Sequence, residues 1–240
     1  GSDGAADKSL ENTTDESNLR MGTSDFTIDG FFRCTTDLGS ANCWRSVFSL
    51  GPGYNDEESI TMYYTTGSSW PRKSNSQQCG YDLCPHLIVS SDYNIAAQRR
   101  NIDDGDWHHF AIAKTGGFIR QWIDGAFHFE AVDTNNYQDG RLYIGRSPAC
   151  GTNTESGQHR GWVNSLRIIK GEAIYTGRDG IVVPREKVVA TTNGATANKV
   201  KFLGCQSTTN VTDCTVTPSN SWTLSQNGTV TLQTDLYTPF

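Results

Sequence analysis

Apolar and polar residues alternate with a period of two through most of this chain, and short runs of glycine, asparagine, aspartate and serine break the alternation. From residue 107 to 114, Trp107, His109, Ala111 and Ala113 interleave with His108, Phe110, Ile112 and Lys114. One face is mixed and the other largely apolar, the pattern of a half-buried strand. Thr115-Gly116-Gly117 turns the chain and Phe118 to Ile123 returns it. Asp124-Gly125 then supplies the pair favoured at the positive-φ positions of a type I′ hairpin, before Ala126 to Ala131. These three runs predict a β-meander. Leu142 to Ile144 and Trp162 to Ile169 are the next two strands, across a long polar loop. Upstream, Phe26 and Ile28 alternate with Thr27 and Asp29, and Phe31-Phe32 leads into Cys34, a central strand. Ser46 to Leu50, Ile60 to Tyr64, Leu87 to Ser90, Ile95 to Arg99 and Lys199 to Leu203 complete the set. Ile174-Tyr175, in the excursion after Ile169, is expected to tuck back. No amphipathic helix, internal repeat or low-complexity linker interrupts the pattern.

Bulk properties narrow the function. Hydrophobic residues make up only 35% of the 240, but six Trp, nine Tyr and ten Phe supply large burial per residue, enough for a two-sheet core. The formal net charge is −6, and the basic residues are scattered, with pairs no longer than Arg72-Lys73 and Arg99-Arg100. That argues against nucleic acid, which needs a phosphate-tracking basic patch. No apolar run approaches the roughly 18 residues of a membrane-spanning helix, and the opening Gly1-Ser2-Asp3-Gly4 has no signal-peptide pattern. Catalysis is not expected. A retaining glycosidase needs two carboxylates about 5 Å apart, two or four positions apart on one strand face. Glu130 and Asp133 are three apart, and neither a serine nucleophile elbow nor a phosphate-binding glycine loop occurs.

The succession W-H-H-F-A-I, Gly116-Gly117, Q-W-I-D-G, L-Y-I-G-R, G-W-V-N-S-L-R-I-I-K-G and A-I-Y-T-G, with Asp25 to Arg33 and Ser46 to Gly51, resembles the laminin-G-like, concanavalin-A-like jelly-roll domains. It is most similar to the variety in phage and other virion surface proteins. The tail, with Cys205-Gln206-Ser207, Thr217-Pro218, Asn227-Gly228 and Pro239-Phe240, is similar to the segment that follows this domain in marine virus sequences. The resemblance implies an all-β, two-sheet antiparallel β-sandwich over residues 1–240 as a single domain. Residues 1–24 form a polar N-terminal segment, and a Ser/Thr/Asn-rich C-terminal segment, 204–240, packs on the sandwich. It implies a non-enzymatic virion surface module, on a tail fibre or a capsid, that binds host-surface carbohydrate. Its partners would be that glycan and other virion proteins, with homo-oligomers giving weak sites avidity. A purely structural capsid decoration and a secreted cellular lectin or adhesion domain stay open as alternatives. In the family an opening strand and a short helical turn precede the motif that Asp25 begins; here that stretch is hardly apolar, so an edge or frayed N-terminus is expected.

Three sets of side chains carry candidate chemistry. The long loop after Tyr64 presents Trp70, Arg72, Asn75, Gln77 and Tyr81, and Tyr54 stands in a neighbouring turn. A sugar's C–H face stacks on an aromatic plane while its hydroxyls bond amides and guanidinium, so these residues are the carbohydrate-binding candidates; packing of Trp70 and Tyr81 to pin the loop is the alternative. Asp56 with Glu57, and Asp103 with Asp104 and Asp106, are acidic turns that suit calcium, the one cofactor suggested, or plain solvent exposure. Seven cysteines fall as the local pairs Cys34/Cys43, Cys79/Cys84 and Cys205/Cys214, leaving Cys150. Disulfides or buried thiols both fit, whereas zinc-ligand spacing is absent. His108 and His109 must face opposite sides of their strand. The Asn12, Asn210 and Asn227 glycosylation motifs are as many as chance would supply.

Overall fold

The structure, a computed structural model, describes residues 9–35, 43–53, 58–66, 84–89, 95–96, 102, 104–148, 158–219, 222–232 and 239. In chain order the strands are β1 (Ser9–Asn12), β2 (Phe26–Cys34), β3 (Cys43–Leu50), β4 (Ile60–Thr66), β5 (Cys84–Val89), β6 (Ile95–Ala96), β7 (Trp107–Thr115), β8 (Phe118–Ile123), β9 (Ala126–Val132), β10 (Leu142–Ile144), β11 (Gly161–Lys170), β12 (Val200–Gly204), β13 (Cys214–Val216) and β14 (Ser225–Asn227). They form two antiparallel sheets, β14-β1-β10-β3-β4-β5-β6 and β13-β12-β11-β2-β7-β8-β9. This is the all-β, two-sheet antiparallel sandwich that the family resemblance implies, built from the strands that the alternation predicts. Helical structure among the described residues is confined to short 3-10 turns such as Ser17–Leu19, and no described helix is long and apolar enough to cross a membrane.

Strand parity sets the core. On β2 the inward set Phe26, Ile28, Phe32 and Cys34 meets Phe110 and Ile112 of β7 and Leu166 and Ile168 of β11, and faces Phe48, Leu50, Met62 and Tyr64 from the opposite sheet. Each such side chain stabilises the fold by about 1.5–3 kcal/mol when fully removed from water. The meander β7-β8-β9 forms as expected, with Asp124 at φ 51° and Gly125 at φ 77°, the positive angles that a type I′ turn demands.

The outward set of β2 is also covered, because residues after β11 fold back over the second sheet as a third layer. Phe31, Ile169 and Leu203 pack with Val188 and Ala195, and Ala111, Ala113 and Trp122 pack with Tyr175. Tyr175 is thus tucked in as its sequence context predicts. Beneath this layer Asp29 and Arg167, both buried, form a two-pronged ion pair at 2.9 and 2.7 Å. Tyr175 donates its hydroxyl to the same carboxylate at 3.0 Å, and the second guanidinium arm donates to the Val189 and Thr192 carbonyls. Trp122 donates to the Asp179 carbonyl.

The N-terminal stretch is less frayed than its composition suggests. β1 pairs with β10 on one side and β14 on the other, and the Ser17–Leu19 turn follows it. Backbone pairing, with Leu10 alone as an inward apolar anchor, suffices to hold it. The C-terminal segment reaches this region: Asn12 donates to the Thr223 carbonyl, Asn18 to that of Pro218, and Trp222 packs edge-on against Phe202. The strands expected at 87–90 and 95–99 are observed as Cys84–Val89 and Ile95–Ala96.

Two of the three expected cysteine pairs, Cys34/Cys43 and Cys205/Cys214, require correction. Cys34 and Cys43 flank a loop but belong to opposite sheets, where their ladder partners are Gly161 and Thr66, so they are not a cross-strand pair. Cys34 is a buried thiol beside the Tyr64 hydroxyl. Cys205 and Cys214 are likewise thiols. Cys214 sits opposite Gly204, and Cys205, one residue on, takes a left-handed conformation at φ 60°, so the register does not face one against the other. Cys84 pairs with Thr65, while Cys79 and Cys150 lie outside the described residues. Alkylation of unreduced, denatured protein is therefore expected to label Cys34, Cys205 and Cys214, and peptide mapping that finds any of them bridged would contradict this arrangement. Separately, Asp29→Ala leaves Arg167 buried without its counter-charge and is expected to lower unfolding free energy by about 3–5 kcal/mol, against about 1–3 kcal/mol for Tyr175→Phe, which removes the bond its hydroxyl donates to Asp29 and the one it accepts from Asn193. Denaturant midpoints at neutral pH check the order.

Candidate functional site

One segment ties the two sheets together and builds a concave surface as it does so. Gln158 bridges in parallel to Ser46 of β3, and the Arg45 guanidinium donates to the Gln158 carbonyl at 3.2 Å. His159 donates its backbone N–H to the Gly145 carbonyl, just past β10, while Thr35, just past β2, donates to that of Arg160. The segment then enters β11 at Gly161, where any Cβ would collide with the Arg33 carbonyl across the ladder.

Below this segment lies a buried polar relay. The Arg160 backbone N–H donates to the Tyr64 hydroxyl oxygen at 3.2 Å. That leaves the Tyr64 hydrogen to donate to His159 Nδ1, 3.1 Å away, and His159 Nε2–H to donate to the Trp162 carbonyl at 3.2 Å. This arrangement needs a neutral imidazole. Burial lowers the His159 pKa from its usual range to about 4, so the tautomer that positions Trp162 persists at neutral pH.

Above it, register places three side chains in a row across the outer face of the second sheet. Trp107 of β7 and Trp162 of β11 are both the ladder partners of Arg33 on β2. Neighbouring strands are about 4.8 Å apart, so the backbones that carry the two half-buried tryptophans are about 10 Å apart with that of Arg33 between them. The Arg33 guanidinium lies 5.3 Å from the Trp162 ring centroid, in cation–π contact.

Trp107 and Trp162 line a cavity of about 510 Å³. It opens where β12 leaves β11: β12 pairs only from Leu166 onward, so Gly161 to Asn164 have β2 on one edge and the cavity on the other. Amide and hydroxyl side chains of Gln158, Asn164, Ser207 and Asn210 stand in the wall, with Arg45 and Arg160. Among the described lining residues there is no Asp or Glu.

Trp70, Arg72, Asn75, Gln77, Tyr81 and Tyr54 lie outside the described residues, as do Asp56, Glu57 and Asp103. Asp104 is described, and its carboxylate is engaged: it accepts from His108 Nε2 at 3.0 Å and from the Asp106 backbone N–H at 2.9 Å. Asp124 takes the other His108 nitrogen at 2.9 Å. Burial works against the charged imidazole there, but the Asp124 and Asp104 carboxylates outweigh it and hold His108 above its usual pKa. No three potential ligands cluster for a metal among the described residues. His108 and His109 do face opposite sides, as strand geometry requires. His109 lies under the outer layer against Phe31, with both ring nitrogens lacking hydrogen-bond partners.

No protein-family model matches the chain. Over 89 residues, 33% of its length, it is 30% identical to Neurexin 1 of Drosophila melanogaster, of which it spans 5%. Among solved structures it is similar to the native heptameric SAP-like pentraxin of Limulus polyphemus, with TM-score 0.49 and 15% identity over 70% of this chain and 72% of that one. It is also similar to mouse laminin α1 domains LG4-5, with TM-score 0.40 and 18% identity over 75% and 48%. For the Ruminococcus gnavus IT-sialidase CBM40 bound to α2,6-sialyllactose the values are TM-score 0.44 and 11% identity over 68% and 88%.

Acid should loosen both the relay and the outer layer. His109 is lowered to about 4 by burial, as His159 is, so the unfolded chain binds more protons than the folded one between about pH 6.5 and 4. Stability from these two groups is present above pH 6.5 and is lost as pH falls toward 4, by about 3 kcal/mol each. His108 has the opposite sign: its contribution is present below the unfolded pKa and lost as pH rises through its raised value. His109→Leu leaves no polar group orphaned. It is expected to flatten the acid side of the stability–pH curve relative to the parent, as denaturant titrations at pH 7 and 4.5 would measure.

Proposed function

We propose that this chain is a non-enzymatic carbohydrate-binding module, and that the cavity bounded by Trp107 and Trp162 is its binding site. One observation carries the reading. Two aromatic planes held by register stand in the same concave wall as amides, hydroxyls and the open backbone edge of β11. A sugar ring needs both kinds of surface, because its C–H face stacks on an indole while its hydroxyls exchange water for amide, hydroxyl and backbone partners. The sheets and the neutral His159 relay hold these groups in place before a ligand arrives, which reduces the ordering cost of binding. Glycoside hydrolysis is not proposed for this site, since it requires a carboxylate pair and none lines the described wall.

The biological setting follows from the resemblance of the strand succession and tail to virion surface proteins. The module is displayed on a particle as one of several copies, together with other virion proteins, and attaches to host-surface glycan through repeated shallow sites. The whole of residues 1–240 acts as one unit in this reading, with the C-terminal segment contributing one wall of the cavity.

Binding of the purified chain to an array of bacterial and algal polysaccharides tests the proposal. Trp162→Ala and Trp107→Ala are each expected to weaken binding about tenfold or more, the loss of one aromatic contact, with the melting cooperativity retained. If Trp70→Ala carries the loss instead, the site belongs to the loop after Tyr64. Folded parent protein silent on every glycan would overturn the carbohydrate reading.

A further inference from the structure

We infer that the glycan taken at this cavity carries an N-acetyl group, and that the unpaired edge of β11 and the Asn210 amide hold that group between them; the inference rests on the carbohydrate reading of the same cavity. The first residues of β11, Gly161 to Asn164, pair with β2 alone, and β12 joins only from Leu166. Backbone groups alternate in direction along a strand. The Arg160 carbonyl accepts from Thr35, which follows β2, and the Ser165 N–H donates to the carbonyl of Cys205, which follows β12. Val163 shares the parity of Ser165, so its N–H and C=O point away from β2, toward the cavity that it lines. Among the described residues none bonds to either group.

The wall across the gap supplies the complementary half. Beyond β12 the chain turns through Asn210 and Val211, which line the cavity too. Asn210 Oδ1 accepts from the Thr212 N–H at 3.1 Å and from its hydroxyl at 3.0 Å, which fixes the amide and presents Nδ2 as the donor. Beside these polar groups the main core is unsealed: Val163, Val211 and Val230 pack against it only partly buried, and all three line the cavity. An acetamido group matches each of these features. Its N–H and C=O point in opposite directions, as in any trans amide. It therefore bridges the gap as a peptide unit bridges its two neighbours within a sheet, donating to the Val163 carbonyl and accepting from Asn210 Nδ2, while its methyl meets the valines. A hydroxyl brings no apolar part, and a carboxylate only accepts, leaving the Val163 carbonyl unmet. Arg33 covers one face of the Trp162 indole. A pyranose on the other face stands about one residue's rise, roughly 3.3 Å, from the Val163 edge.

Matched sugars test the inference: N-acetylglucosamine against glucose, N-acetylgalactosamine against galactose, and chitotetraose against cellotetraose, each titrated with the full chain by saturation-transfer NMR. The expected result is at least about tenfold tighter binding of one acetylated member than of its match, the scale of two hydrogen bonds and a buried methyl. Its methyl protons are expected to be the most strongly saturated of the ligand. Asn210→Asp keeps an oxygen for the Thr212 bonds but exchanges the donor for an acceptor, and is expected to cut the preference about tenfold. Val211→Thr keeps the shape but sets a hydroxyl against the methyl, and is expected to cut it about threefold or more. Trp162→Ala is expected to weaken acetylated and plain members alike. Equal affinity within all three pairs would overturn the inference and leave the carbohydrate reading standing. Silence of every one of these sugars, when the polysaccharide array gives a signal, would do the same. A preference left intact by both Asn210→Asp and Val211→Thr would also overturn it, by placing the acetyl group elsewhere. Silence of the sugars and of the array, from protein that melts cooperatively, would overturn both readings.

Discussion

The buried ion pair between Asp29 and Arg167 is the constraint from which the arrangement of the second sheet follows. A charge at the centre of a sheet face is tolerable only when paired and fully hydrogen-bonded. Here Asp29 accepts from Nε and Nη2 of Arg167 and from Tyr175, while Nη1 of Arg167 reaches the Val189 and Thr192 carbonyls. Those partners sit in the segment between β11 and β12. Satisfying the pair therefore obliges that segment to lie across the sheet, and lying there it buries Phe31, Trp122 and Tyr175 as well. A hydrophobic surface alone would favour some cover; the ion pair selects this one.

Along β2 the outward residues are Thr27, Asp29, Phe31 and Arg33. The first three are buried beneath the third layer, whereas Arg33 is half-buried between two tryptophans. The same strand thus passes from fully buried to half-exposed within two residues. At that end the sheets are joined by the segment from Gln158 to Trp162, whose backbone bonds run to β3, to the end of β10 and to the end of β2. The two histidines with opposite environments serve these tasks differently. His159 stays neutral because burial penalises its charge, and so can donate with one nitrogen and accept with the other. His108, between two carboxylates, is better charged and fixes the Asp124 turn.

Much of the fold is legible in the residue order. Period-two alternation gives β2, β7, β8 and β11 with their inward faces, because a strand with one buried side has no other way to arrange its apolar residues. Asp124-Gly125 gives the hairpin. Strands whose residues are nearly all polar are not legible this way: β1 and β14 exist through ladder bonds supplied by neighbours remote in sequence. The cysteines show the same limit. Nearness along the chain made Cys34 and Cys43 look like partners, but the loop between them crosses from one sheet to the other.

The candidate site lies on the far side of that limit. Trp107 and Trp162 each stand at the start of a strand, and Arg33 near the end of another, more than fifty residues from either tryptophan. Nothing local marks them as neighbours, and attention goes instead to Trp70 and Tyr81, which share one loop. By itself the sequence determined that the chain forms strands, which face of each is buried, and where the sharp turns fall, because those properties depend on residues within a few positions of one another. Tertiary structure alone decided that β7, β2 and β11 lie side by side, that an ion pair draws a third layer over them, and that the layer leaves Arg33 between two indoles, because strand order and register are set by contacts among residues far apart in the chain.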